Sequence, residues 1–148
     1  MQAFKLENFS RAHPDTDPPE FSPLTASEEA SEVAKLLKQA QHSTGSPEEL
    51  LRQLAKQAQP IATVNLDERP IELRRVFEMC GISPESVLFV QWGPFRNIDR
   101  FNRVELEKYF YDIWYPAADD IELFDGTAKW IIFVAHYGAV RVWRPIDS

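Results

Sequence analysis

Two neighbouring stretches carry apolar residues at helical spacing. In "ASEEASEVAKLLKQAQHSTG", Ala30, Val33, Ala34, Leu37 and Ala40 recur every three or four positions, which predicts an amphipathic helix. Ser27 is the expected N-cap, with Glu28 and Glu29 near the positive helix end. "STGS" breaks the pattern, and Ser46, Pro47 and Glu49 read as the start of a second helix with a capping box. Its stripe is Leu50, Leu51, Leu54, Ala55 and Ala58. The pair predicts a helical hairpin over 26–60. Neither stripe holds an aromatic, so the hairpin calls for another surface to lie on: the rest of the chain, a second copy or a partner.

The pattern changes on either side. Residues 1–25 contain Pro14, Pro18, Pro19 and Pro23, frequent acids and no period, and read as a flexible acidic tail. After the hairpin, Ile61–Leu66 predicts a short strand and "RPIELRRVFEMCGIS" a helix. That helix has Leu73, Val76, Phe77 and Cys80 on one face, and Gly81 as its C-terminal cap. "SVLFVQW" predicts a strand, "GPFRNIDRFNR" a loop and "RVELEKYFYDIWY" a helix ended by Pro116. "DIELFD", "KWIIFVAHY" and "AVRVWR" then predict an antiparallel meander, with turns at Asp125-Gly126 and Tyr137-Gly138. In its last strand Arg141 shares a face with Trp143, so that face reads as partly polar. The expected fold class is α+β: a helical hairpin, then helices packed on a small antiparallel sheet in a core domain over 61–148. Of the aromatic residues only Phe4, Phe9 and Phe21 precede residue 77, which places the main core in the second half.

Charge narrows the function classes. The 148 residues carry a formal net charge of −7, which argues against nucleic acid, whose phosphates demand a basic stripe, and suits a basic protein partner. Cys80 is the only cysteine, so neither an internal disulfide nor a multi-cysteine zinc site is available; on an apolar helix face it reads as a small buried hydrophobe. The opening "MQAFKLENFSRAHPD" lacks an apolar signal region, and no run nears the roughly 20 apolar residues of a membrane helix. The expectation is a soluble, cytoplasmic protein without a membrane role. GxGxxG, GxxxxGK[ST], GxSxG and HExxH are missing, and no cofactor is expected.

The densest chemistry lies in "ADDIELFD", where Asp119, Asp120, Glu122 and Asp125 fall close together. Strand alternation sends Asp120, Glu122 and Phe124 to one face, and Ile121, Leu123 and Asp125 to the other. One reading makes these acids turn residues that accept backbone N–H bonds at the strand's two ends. The other brings Asp119 and Asp120 beside His136 across the meander, as a metal site or a His/Asp catalytic pair. His13 and His42 lie elsewhere, so no three-histidine set is suggested. Arg96, Arg100 and Arg103, close together in one loop, would clamp an anion or pair with internal acids.

The segment "LEKYFYDIWYPAADDIELFDGTAKWIIFVAHYGAVRVWR" resembles a pattern in small bacterial immunity-type proteins and other cytosolic neighbours of toxin genes. The shared features are an aromatic helix ending "WYP", then "DD", a strand ending in Asp, then "W" and "HYG" before the hairpin. The resemblance covers the last 40 residues or so. It implies an α+β body and a protein partner, and carries no binding residues across. The leading expectation is therefore a non-enzymatic protein-binding module, of the toxin-neutralising kind. Trp92, Phe95, Arg96, Arg100, Arg103 and Trp143 are its candidate contact residues. A small metal-dependent or His/Asp hydrolase is the second expectation. A structural or regulatory subunit that self-assembles through the helical hairpin is the third.

Overall fold

The computed structural model describes residues 1–40, 46–63, 72–93, 97–116 and 118–146; His42, Phe95, Arg96 and the end of the Ile61–Leu66 stretch lie outside them. The described residues form one antiparallel sheet of seven strands: β1 (Phe21–Pro23), β2 (Gln59–Thr63), β3 (Val87–Gln91), β4 (Ile98–Asn102), β5 (Ile121–Phe124), β6 (Ile131–Val134) and β7 (Ala139–Trp143). The order across the sheet is β1-β4-β3-β5-β6-β7-β2, so β5, β6 and β7 are the expected meander. Six helices accompany them: α1 (Ala3–Ala12), α2 (Ala26–Gln39), α3 (Pro47–Gln57), α4 (Leu73–Cys80), α5 (Arg103–Lys108) and α6 (Phe110–Ile113). The fold is α+β.

Both faces of the sheet are apolar, and each is covered. On one, Leu88, Val90, Phe101, Ile121, Leu123, Ile132, Val134 and Val140 pack against Leu73, Val76, Phe77 and Cys80 of α4, with Leu106, Phe110 and Ile113 of α5 and α6. On the other, Phe89, Ile98, Phe124, Ile131, Phe133 and Trp143 pack against Leu36 of α2 with Leu50 and Leu54 of α3. Strand alternation deals successive residues to the two cores. α3 thus lays its expected stripe on the chain's own sheet, whereas α2 buries Leu36, which its expected stripe omits, keeps Val33, Leu37 and Ala40 partly buried, and leaves Ala30 and Ala34 exposed.

Local chemistry fixes the helix ends. Thr25, not Ser27, is the N-cap of α2: its side chain accepts from Glu28 N–H at 3.1 Å while Glu28 accepts from Thr25 N–H at 3.1 Å. Ser46 accepts from Glu49 N–H at 3.2 Å and Pro47 opens α3. Gly81 closes α4 with φ of 65°, in the left-handed region glycine enters without Cβ strain. Thr25→Ala is expected to cost about 1 kcal/mol in a urea titration, with Ser27→Ala near zero; equal losses would deny the cap assignment.

Three further expectations change. Residues 1–25 hold α1 and β1 instead of an irregular tail: Lys5 and Phe9 are buried, and Phe21–Pro23 pairs with Phe101–Asp99 of β4. Pro23 stands on an edge strand, where a sheet tolerates proline. Residues 98–102, expected as loop, are β4; Ile98 and Phe101 serve opposite cores, and the charged residues between them hide that alternation. The helix expected over "RVELEKYFYDIWY" is two, broken at Tyr109 with φ of −110°. Beyond the break Phe110 stacks on Trp114 with ring centroids 5.7 Å apart. Among the described residues no helix is long and apolar enough to cross a membrane.

Candidate functional site

The four carboxylates of "ADDIELFD" do not converge on one site. Asp119 precedes β5 and closes the turn after α6. Its Oδ2 accepts from Tyr115 N–H at 2.8 Å and pairs with the Lys5 ammonium, while its carbonyl accepts from Trp114 Nε1 at 2.9 Å. Asp125 lies just past β5 and is buried. Its Oδ1 accepts from Thr127 N–H at 3.0 Å and Thr127 Oγ1 at 2.5 Å; its Oδ2 accepts from Glu85 N–H at 3.1 Å and Trp130 Nε1 at 3.2 Å. Both acids serve as turn residues holding backbone donors.

Asp120 does meet His136. The β5–β6 register places Ile121 opposite Val134, so the residue before β5 lies beside the turn after β6. Asp120 Oδ1 accepts from His136 N–H at 2.7 Å and lies 3.0 Å from His136 Nδ1. Burial opposes ionisation of Asp120, but the backbone bond, the ring bond and the charge of His136 outweigh it, and its pKa falls below the ordinary value. The pair is exposed, and Tyr137 beside it is 63% exposed. Asp119 turns away to Lys5, so Asp119, Asp120 and His136 do not share a ligand set. Among the described residues no group of three or more His, Cys, Asp or Glu is placed to hold a metal ion.

Glu122 is the exception. It points to the same sheet face as Phe124 but lies where the polar end of that face begins. Gln91 of β3 sits directly opposite in register and donates from Nε2 to Glu122 Oε2 at 2.6 Å. Desolvation, then the charge of Asp120, push the carboxyl up to about 7; the Gln91 bond and the Arg141 charge act the other way. A carboxyl that titrates near neutral pH and reaches the surface is the most chemically responsive group of the cluster.

That shift has a measurable consequence for stability. Glutamate ionises near 4.5 in the unfolded chain and near 7 here. Between those values the folded chain keeps a proton that the unfolded chain releases, so stability falls as pH rises and levels off above about 7. Glu122→Gln removes the loss. The variant is expected to match the parent near pH 4 and to exceed it by about 2 kcal/mol at pH 8 in chemical denaturation. A difference that does not change with pH would show that Glu122 ionises normally.

Of the other candidate contact residues among those described, Trp143 is buried, and Trp92, Arg100 and Arg103 are half-buried with partners inside the chain. Trp143 is 2% exposed, and its Nε1 donates to Gln57 Oε1 at 3.2 Å beneath the hairpin. The partly polar face expected for β7 is thus covered: α3 lies over it, and Arg141 reaches the Ala55 carbonyl at 2.9 Å. Trp92 donates from Nε1 to Asp99 Oδ2 at 2.8 Å and lies under the Lys5 ammonium, 4.4 Å from its ring. Arg100 binds Ser22 Oγ at 3.4 Å and Glu28, and Arg103 donates to the Pro84 carbonyl at 2.8 Å. Gln91 was not among the sequence candidates; a lone amide ending the apolar run "SVLFV" is the signal that marks it.

Comparison with protein-family models, with curated proteins and with solved structures finds no match.

Proposed function

We propose that this chain is a non-enzymatic protein-binding module that engages a basic partner, in the manner of a toxin-neutralising immunity protein. The observation that carries the reading is the end of the sheet where β5 and β6 meet their flanking turns. There Asp120, His136 and Tyr137 are exposed around the half-buried Glu122. This gives an aromatic contact and two acidic groups on a rigid β-scaffold, a composition suited to a cationic protein surface. The net charge of −7 adds long-range attraction for such a partner.

Purification of the tagged chain from its native host tests the reading. One stoichiometric protein should be retained near 0.15 M salt and released as screening rises toward about 1 M. Recovery of no such partner would overturn the module. Co-expression with a toxin encoded beside it should restore growth, and Asp120→Lys should weaken that protection.

Glu122 also favours a second reading, a small hydrolase in which this carboxyl acts as general acid near Asp120 and His136. Turnover of a hydrolytic substrate that Glu122→Gln abolishes while binding persists would select it over the module.

A further inference from the structure

We propose that Gln91 and Glu122 form a receptor for one cationic side chain, an ammonium or guanidinium, presented by a protein partner, with Asp120 at its rim. The inference rests on the binding-module reading and names the chemistry of its contact.

Its first support is an unsatisfied buried acceptor. Gln91 is 1% exposed, and its Oε1 accepts no hydrogen bond. In the ionised state the carboxylate takes the amide's donor side and the carbonyl side is left over, whereas a protonated Glu122 would donate to that oxygen once the amide turns, so proton and cation compete for the same place. A buried acceptor without a donor is destabilising. The side chain is thus held in an orientation that a donor-rich ligand would relieve.

The second support is the lack of a cation for Glu122. None of the ion pairs among the described residues includes it. Arg141 from β7 acts on it at a distance, but that guanidinium donates to the Ala55 carbonyl and lies 5.6 Å from the centre of the Phe133 ring. His136, beyond β6, is paired with Asp120. From the helices over this face, Lys35 of α2 is tied to Glu32 and the Gly126 carbonyl, and Arg52 and Lys56 of α3 are exposed. Gln91 Oε1, Glu122 and Asp120 are all acceptors, which selects a ligand that only donates.

Docking is coupled to a proton. The free carboxyl is half protonated near pH 7, and a cation bound to its ionised form expels that proton. Affinity should therefore rise with pH and level off above about 7, weakening by up to tenfold per unit below it.

NMR of the full chain tests the receptor, with n-butylammonium chloride and ethylguanidinium chloride as probes and sodium chloride at equal ionic strength as control. Either organic cation should shift the Gln91 side-chain amide and the Glu122 carboxyl carbon saturably and lower the Glu122 titration midpoint. Glu122→Gln, which should fold at least as stably, should abolish saturation. Shifts no larger than those with sodium chloride, or unchanged in Glu122→Gln, overturn the receptor. A stoichiometric partner that both proteins retain equally would overturn it too, yet leave the binding module standing. Saturation by the probes when no protein partner is recovered supports the receptor and assigns its ligand to free amines, which removes the module instead.

Discussion

Asp125→Ala is expected to lower the unfolding free energy by about 4 kcal/mol, a large share of the roughly 5–15 kcal/mol that holds a domain folded. The carboxylate holds four donors from three residues, and these fare differently once it is gone. Thr127 can turn to water. Trp130 is 5% exposed, so its indole N–H is left without an acceptor inside the core, and the Glu85 N–H loses the bond that fixes the entry to β3. Each stranded buried donor costs about 1–3 kcal/mol. The turn also holds Ala128 at φ of 55°, a strained conformation for alanine that release would partly relieve. Asp125→Asn should lose about 2 kcal/mol, because an amide presents one acceptor and turns an N–H toward donors it cannot satisfy. Urea unfolding monitored by tryptophan fluorescence measures both. A loss below about 1 kcal/mol for alanine would reduce Asp125 to a solvated turn residue.

Lys5→Ala should cost about 3–5 kcal/mol. The ammonium is buried; it donates to the Ile113 carbonyl at 2.6 Å, pairs with Asp119, and sits 4.4 Å and 4.6 Å from the ring centres of Trp92 and Tyr115. Burial pulls its pKa below the ordinary lysine value, and Asp119 partly restores it. Removing the cation leaves Asp119 with the Tyr115 N–H alone, and truncating the stem also opens a cavity between two rings. Lys5→Met keeps the stem and should lose about 2 kcal/mol, so the difference between variants separates packing from charge. Limited trypsin digestion supplies a second readout: cleavage after Arg11 should accelerate strongly in Lys5→Ala. If neither stability nor cleavage changes, residues 1–12 are not docked.

These two residues mark the limits of what the sequence discloses. Asp125 was legible because its partners are near in the chain and an Asp-Gly pair between strands has a local meaning. The α4 face and the meander were legible for the same reason, since both arise from a short period. Lys5 was not: its carboxylate lies 114 residues away, and no spacing rule links a lysine in a proline-rich stretch to it. The burial of Trp143 was not legible, because alternation says which residues share a face, not what covers it. Glu122 lies on the expected face, yet its raised pKa comes first from burial and then from the charge of Asp120, and the pairing of β3 with β5 that encloses it is not written in either segment.

The strand order imposes a schedule on biosynthesis. Both edges of the sheet come from early segments that pair with late ones: β1 joins β4, and β2 joins β7. A ribosome adds about 5–20 residues per second, so Lys5 leaves the exit tunnel on the order of ten seconds before Asp119 exists to receive it. Throughout that interval the apolar stripes of α2 and α3 have no sheet to lie on. The two edges of the sheet therefore close only after the later strands have emerged.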